Sequence, residues 1–148
     1  MIDLYTWATP NGRKISILLE EINTPYLVHP VNIIENEQFS DEFSRIAPSN
    51  KIPAIIDREN GQSIFESGAI MMYLAKKHNQ FLSQKHYWQI MEWVIFQLSQ
   101  VGPVLGQAHQ FLYYHPNQSE FVEKKYIDYT KRIYQTLNGS LCFILKAQ

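Results

Sequence analysis

The order of apolar patterns in residues 1–78 narrows the possible folds more than anything else in this chain. Ile2–Trp7 is rich in apolar and aromatic residues and reads as a strand. Thr9-Pro10-Asn11-Gly12 breaks it. Ile15, Leu18, Leu19 and Ile22 then recur at spacings of three and four, one face of a helix over Asn11–Glu21. Thr24-Pro25 stops that helix, and Tyr26–Asn32 returns to strand character. Two strands flanking one helix require a parallel, right-handed crossover. Ile34–Asp41 is polar and loop-like, and Ser40 is placed to cap a short helix bearing Phe43 and Ile46, which Ala47-Pro48-Ser49-Asn50 ends. Ile52–Asp57 and Ser63–Phe65 are strand-like on either side of Asn60-Gly61, a hairpin signal because both residues tolerate positive φ. Ser67 is placed to cap a last helix running to His78, with Ile70, Tyr73 and Leu74 inward. One parallel and one antiparallel connection in the order β-α-β-α-β-β-α predict a four-stranded mixed sheet with helices on both faces.

Residues 79–85 read as a linker, and beyond them the strand-like alternation disappears. Trp88, Met91, Ile95 and Leu98 mark a helical stripe, which Gly102-Pro103 should kink or break. Trp93 and Phe96 lie off that stripe, so the helix needs more than one packing partner. Pro116-Asn117 is a turn. Phe121, Tyr126, Tyr129, Ile133 and Leu137 stripe a second helix, expected to end near Asn138-Gly139. The division is therefore residues 1–78, the linker, and an α-helical part over 86–148.

Composition excludes several classes. With 45% hydrophobic and 14% aromatic residues among 148, disorder is ruled out and a core needs neither metal nor disulfide. A net charge of −1 draws in neither nucleic acid nor an anionic membrane. The longest apolar run, Ala69–Ala75, is far short of the ~20 residues of a bilayer span. The N-terminus has no basic, leader-like stretch, and Cys142 is the single cysteine, so a reduced, cytoplasmic protein is expected. His29, His78, His86 and His115 show no metal-ligand spacing, and no metal is expected.

Three places suit chemistry. The turn Thr9-Pro10-Asn11-Gly12 precedes a helix, whose unpaired N–H groups and partial positive charge favour an anion or thiolate; Thr9 or Asn11 adds a directed hydrogen bond, or merely caps the helix. Ile52-Pro53 lies in a strand. A cis bond there would expose the Ile52 backbone to a ligand, whereas a trans bond would mark an edge strand. Glu66-Ser67 precedes a helix and can hold a carboxylate on Ser67 and an ammonium on Glu66, or serve as a plain cap. The three together suit a short peptide carrying a carboxylate, an ammonium and a sulfur.

At this point the chain resembles the glutathione S-transferase family, and among its classes the bacterial nu-class of glutathione-dependent disulfide-bond oxidoreductases. The resemblance rests on LYTWATPNGRKISILLEE (Leu4–Glu21), NKIPAIID (Asn50–Asp57), FESGAIMMYLA (Phe65–Ala75), GPVLGQAHQF (Gly102–Phe111) and TKRIY (Thr130–Tyr134). It implies an α/β thioredoxin-like domain (βαβαββα) followed by an incomplete all-α glutathione-transferase C-terminal domain. It implies that Thr9 and Asn11 face the glutathione sulfur, in place of the Tyr, Ser or Cys of other classes. By the same resemblance Gln38 and Lys51 hold the glycyl end, Ile52 the cysteinyl backbone, and Glu66 and Ser67 the γ-glutamyl group. Pro53 is the family's cis-proline, and Arg132 reaches a glutathione carboxylate. Read without the motif, Arg132 is a solvated helix residue paired with Asp128. His109 either lines the cleft or packs, Tyr5 packs in its strand, and Cys142 is a tail residue.

Family members continue for several helices after TKRIY, so a C-terminally truncated relative is expected, with Trp88, Trp93 and Phe96 incompletely covered. The preferred function is thiol–disulfide exchange with glutathione as co-substrate and a small disulfide as partner. The alternatives are conjugation to an electrophile, with Trp7 and Phe111 in an apolar pocket, and non-catalytic binding of glutathione or a protein. A homodimer is expected if the second domain folds.

Overall fold

A computed structural model of the chain describes residues 1–146, with side chains described through residue 140. It divides into two units, Met1–Tyr87 and Trp88–Gln148.

The first unit holds strands β1 (Ile2–Thr6), β2 (Tyr26–Pro30), β3 (Ala54–Asp57) and β4 (Gln62–Phe65), and helices α1 (Pro10–Glu21), α2 (Asp41–Ile46) and α3 (Ser67–His78). The sheet order is β2-β1-β3-β4, with β1 parallel to β2 and antiparallel to β3, and β3 antiparallel to β4. The expected four-stranded mixed sheet is thus present. Alternation along β1 sorts its side chains between two layers. Ile2 and Leu4 join Ile15 and Leu19 of α1, Ile55 of β3, and Ile70 and Leu74 of α3 in one buried cluster. Tyr5 packs with Phe43 and Ala47 in a second cluster under α2. Helices therefore cover both sheet faces. Ser40 caps α2, its Oγ accepting from the Phe43 amide at 3.2 Å.

Several boundaries differ from the sequence expectation. Helix α1 starts at Pro10 rather than Asn11, because proline suits a first helical turn that needs no N–H partner. Pro53 lies before β3 rather than within a strand, since pairing starts at Ala54, and the Ile52–Pro53 bond is cis. Ser67 is not the cap of α3. It is the first helical residue, and the cap position is Glu66, which makes no side-chain capping bond.

The second unit contains α4 (which starts at the boundary, Tyr87–Phe96), α5 (Gly102–His109) and α6 (Glu120–Lys146). Gly102-Pro103 does not break the helical path. Gln97–Val101 winds as a π-helix, which places Pro103 in the first turn of α5, where its missing donor is tolerated. Nor does α6 stop at Asn138-Gly139. One glycine costs only about 1 kcal/mol in a helix interior, and Ser140 Oγ donates to the Thr136 carbonyl at 3.0 Å across that point. The side chain of Cys142 lies outside the described residues. Trp88 is 76% exposed, while Trp93 and Phe96 meet edge to face at 5.6 Å. Among the described residues no helix is long and apolar enough to cross a membrane.

Two carboxylates pin the sheet. Asp3 accepts two hydrogen bonds from Arg58, each at 2.6 Å, and lies 2.7 Å from His29 Nε2. The Arg58 bonds hold its carboxyl at about 2, against the opposing push of burial. Burial pushes Asp57 upward, but bonds from Lys77, Tyr73 and the Glu59 amide outweigh it and hold this carboxyl at about 2 also. Both folded values lie below the ordinary 3.8, so this stabilisation is complete above that value and is lost as pH falls toward 2. Urea midpoints measured against pH should be flat at mildly acidic pH and drop through that window. Asp3→Asn should flatten the drop, and a drop of undiminished size in Asp3→Asn would refute the assignment.

Candidate functional site

The turn between β1 and α1 is built by close backbone packing. Thr9 is the N-cap, extended at φ −118°, and its Oγ1 accepts from the Gly12 amide at 3.3 Å. The plain capping reading of Thr9 is therefore realised, yet the hydroxyl hydrogen remains free to donate. Gly12 is buried, and a Cβ there would lie 2.1 Å from Thr6 Oγ1 and 2.7 Å from the Trp7 carbonyl oxygen. Only glycine lets the helix start this close to the end of β1. Asn11 follows in the first turn, exposed, with its Oδ1 accepting from Lys14 Nζ at 2.8 Å.

The segment before β3 supplies Lys51, Ile52 and Pro53. Asn50, at φ +53°, turns the chain into it. Its Nδ2 donates to the Gln38 carbonyl at 2.9 Å and to Ser44 Oγ at 2.7 Å. Gln38 is thereby tied to the loop that carries Lys51, and its own Oε1 is buried without a hydrogen-bond partner. At the other end of the hairpin Glu66 adopts φ +70°, ψ +117°. A non-glycine residue held in that region is strained, and such strain gathers at ligand sites. The turn brings the buried Ser67 to the start of α3, whose first amides have no partner within the helix.

These segments meet. Asn11, Lys51, Ile52, Pro53, Glu66 and Ser67 line one small pocket of about 50 Å³. Two helix starts border it, so two positive dipole ends face one space. Lys51 and Glu66 add one charge of each sign. The pocket is small, and its lining offers contacts of both charge signs and free helix amides to part of a ligand lying across it. Thr9 and Gln38 are not among its lining residues, although both are bonded to segments that are.

The remaining candidates lie elsewhere. Tyr5 stacks on His29 at 4.7 Å and lines a separate pocket of about 390 Å³ on the α2 face. Arg132 belongs to the second unit and sits over the Tyr129 ring at 5.6 Å. The suggested Asp128–Arg132 pair does not form. Asp128 is instead 4.0 Å from Lys131, three residues on, where helical neighbours also meet. His109 packs on Tyr113 and Tyr114, and Phe111 stacks on Tyr126 at 5.6 Å. Among the described residues, no group of three or more His, Cys, Asp or Glu side chains could hold a metal. Sequence reading misses Asn50 as the clasp of the Lys51 loop, and Lys14 as the partner of Asn11. An Asn at the end of a Pro-Ser-Asn turn, and a lysine three residues beyond a first-turn Asn, are the available signals.

Residues 1–76 match the family described as "Glutathione S-transferase, N-terminal domain". Over 148 residues the chain is 42% identical to the disulfide-bond oxidoreductase YfcG of Escherichia coli, covering 95% of this chain and 69% of that one. A crystal structure of a glutathione transferase from Pseudomonas putida, with one glutathione disulfide bound per subunit, superposes with a TM-score of 0.85 at 39% identity, covering 92% of this chain and 63% of that one. Ure2p in complex with glutathione superposes at 0.92 with 29% identity, covering 99% and 70%. Other curated relatives are spanned over shorter fractions, 57% for a transferase-domain protein of Dictyostelium discoideum.

Proposed function

Because the chain belongs to the glutathione S-transferase family, we propose that it is a glutathione-dependent thiol–disulfide oxidoreductase whose nucleophile is the sulfur of bound glutathione. The carrying observation is the convergence of Asn11, the Lys51–Pro53 segment and Glu66-Ser67 on one pocket at two helix starts. In this reading the γ-glutamyl end lies at Glu66 and Ser67, the cysteinyl backbone at Ile52 beside Pro53, and the glycyl end at Lys51 and Gln38. The sulfur then comes to the start of α1. There the helix amides, the Asn11 amide and the Thr9 hydroxyl stabilise the thiolate and lower its pKa.

The protein contributes no sulfur to the reaction. The glutathione thiolate attacks one sulfur of a small disulfide, forming a mixed disulfide and releasing the other half as thiolate. A second glutathione thiolate attacks the glutathione sulfur of the mixed disulfide, yielding glutathione disulfide and the second released thiolate. Two glutathiones are oxidised, one disulfide is reduced, and two protons pass to the released thiolates. The proposal includes a cytoplasmic location, which a chain with one cysteine suits, and a homodimer, which sedimentation would read.

Turnover of a small disulfide should fall ~10- to 100-fold in Asn11→Ala, the range expected for losing one hydrogen bond to a charged group. Thr9→Ala should lower it too and also cost ~1 kcal/mol of stability through the lost cap. Thr9→Ser, which keeps the hydroxyl, should retain most of both. Unchanged rates in both alanine variants and in their double would refute the roles of Thr9 and Asn11. Conjugation to an electrophile is a second reading, favoured by the transferase names of the solved relatives. Faster turnover of an aryl halide than of the disulfide would establish it, and calorimetric binding of glutathione without turnover of either would mark a non-catalytic binder.

A further inference from the structure

Asn11 is the pocket residue whose effect depends on which way its side chain is turned. A carboxamide has an acceptor oxygen at one end and two N–H donors at the other, and the ends are nearly identical in shape. Turned one way, Asn11 donates to an anionic sulfur. Turned the other way, it offers lone pairs and repels the same sulfur. Lys14, one turn along α1, donates from Nζ to Asn11 Oδ1 at 2.8 Å. An ammonium has three donors and no acceptor, so it pairs only with the oxygen end. Asn11 Nδ2 then keeps its donors, with no hydrogen-bond partner among the described residues.

Lys14 is half-buried, and that burial draws its pKa below the ordinary lysine value. The bond to Asn11 is itself exposed, and its strength comes from the ammonium's charge, which makes it stronger than a bond between neutral groups. The other charged side chains bordering the pocket are Lys51, from the segment before β3, and Glu66, from the turn before α3; Arg13 is the remaining charge on this turn of α1. No hydrogen bond joins any of the three to Asn11 among the described residues.

We propose that Lys14 is a positioning residue: by holding the oxygen of the Asn11 carboxamide, it leaves the N–H groups as the end presented to the bound sulfur. This deepens, and rests on, the reading of Asn11 as a donor to the glutathione thiolate. Lys14 need not touch glutathione. It sorts the two ends of its neighbour.

The test is ultraviolet titration of the thiol of reduced glutathione bound to the full chain, in the wild type, Lys14→Met and Lys14→Arg, and with each lysine change repeated in an Asn11→Ala background. Lys14→Met should raise the pH at which the bound thiol ionises, cutting the thiolate fraction below that pH about tenfold. Lys14→Arg, also a pure donor, should restore most of it. In the Asn11→Ala background Lys14→Met should change little more, the signature of two residues acting as one unit. An equal effect in both backgrounds overturns the proposal, since Lys14 then acts through its charge alone. A lowered wild-type thiol that Lys14→Met leaves unmoved also overturns it, while the parent reading survives. A wild-type thiol that ionises as in plain buffer defeats the parent reading, and this role with it. Should Lys14→Met not fold, Lys14→Gln takes its place, with a smaller rise expected and no rise overturning the assignment.

Discussion

Lys77→Met is expected to lower folding stability by ~3–5 kcal/mol, the cost of stranding a buried charge. Asp57 is fully buried at the end of β3, and Lys77 from α3 bonds to its Oδ2. Tyr73 Oη also donates to Oδ2, at 2.5 Å, and the Glu59 amide donates to Oδ1 at 3.0 Å. Lys77 reaches Glu59 as well, at 2.8 Å. Removing the ammonium leaves a carboxylate in the interior with neutral partners only. The double variant Asp57→Leu, Lys77→Met should recover much of the loss, because an apolar pair of similar volume avoids desolvation altogether. Tyr73 would still hold Asn60 Nδ2 at 3.0 Å. Urea midpoints with an unchanged m-value read both results. A single variant within about 1 kcal/mol of wild type would show that the pair contributes little, as exposed pairs do. The matter bears on function, since this network joins α3, which begins at Ser67, to β3, which follows Pro53.

Gly12→Ala should cost ~1–3 kcal/mol, as overpacking does, and should weaken the candidate site out of proportion to that loss. The added Cβ would stand 2.7 Å from the Trp7 carbonyl oxygen, a backbone atom that cannot rotate away. The start of α1 would have to lift from β1, taking Thr9 and Asn11 with it. Glutathione affinity by calorimetry should therefore fall in a protein still folded by circular dichroism. Combining it with Thr6→Ala removes the 2.1 Å approach to Thr6 Oγ1 but not the backbone clash, so recovery should be partial. Full affinity in Gly12→Ala would show that the helix start has room to move and that the turn is less tightly specified than its geometry implies.

These two positions are not equally visible in the sequence. Gly12 stands within the turn Thr9-Pro10-Asn11-Gly12, where it reads as a breaker and not as a contact. Asp57 and Lys77 are invisible as a pair, because 20 residues and a hairpin separate them and no local period links them. The same contrast runs through the site. Ile52-Pro53 and Glu66-Ser67 are legible because proline and a helix-start serine carry local meaning. That local meaning misplaces Ser67 by one position: serine chemistry favours the cap, but the turn at Glu66 makes Ser67 the first helical residue. Helix ends in the second unit differ from expectation for a related reason. Gly102-Pro103 and Asn138-Gly139 are strong local punctuation, but a π-helical turn and helix cooperativity absorb them.

Local chemistry along the chain is enough to set the elements of the first unit and their order, since apolar spacing, turn residues and one hairpin pair each act over a few residues. It also supplies the types of group at the pocket. Which groups meet is decided only by the folded sheet, because the order β2-β1-β3-β4 brings together segments up to 56 residues apart in sequence. The clasp at Asn50 and the charge buried at Asp57 belong to that second class. Each depends on a partner across space or on the dielectric around it, and neither is written in the spacing of residues.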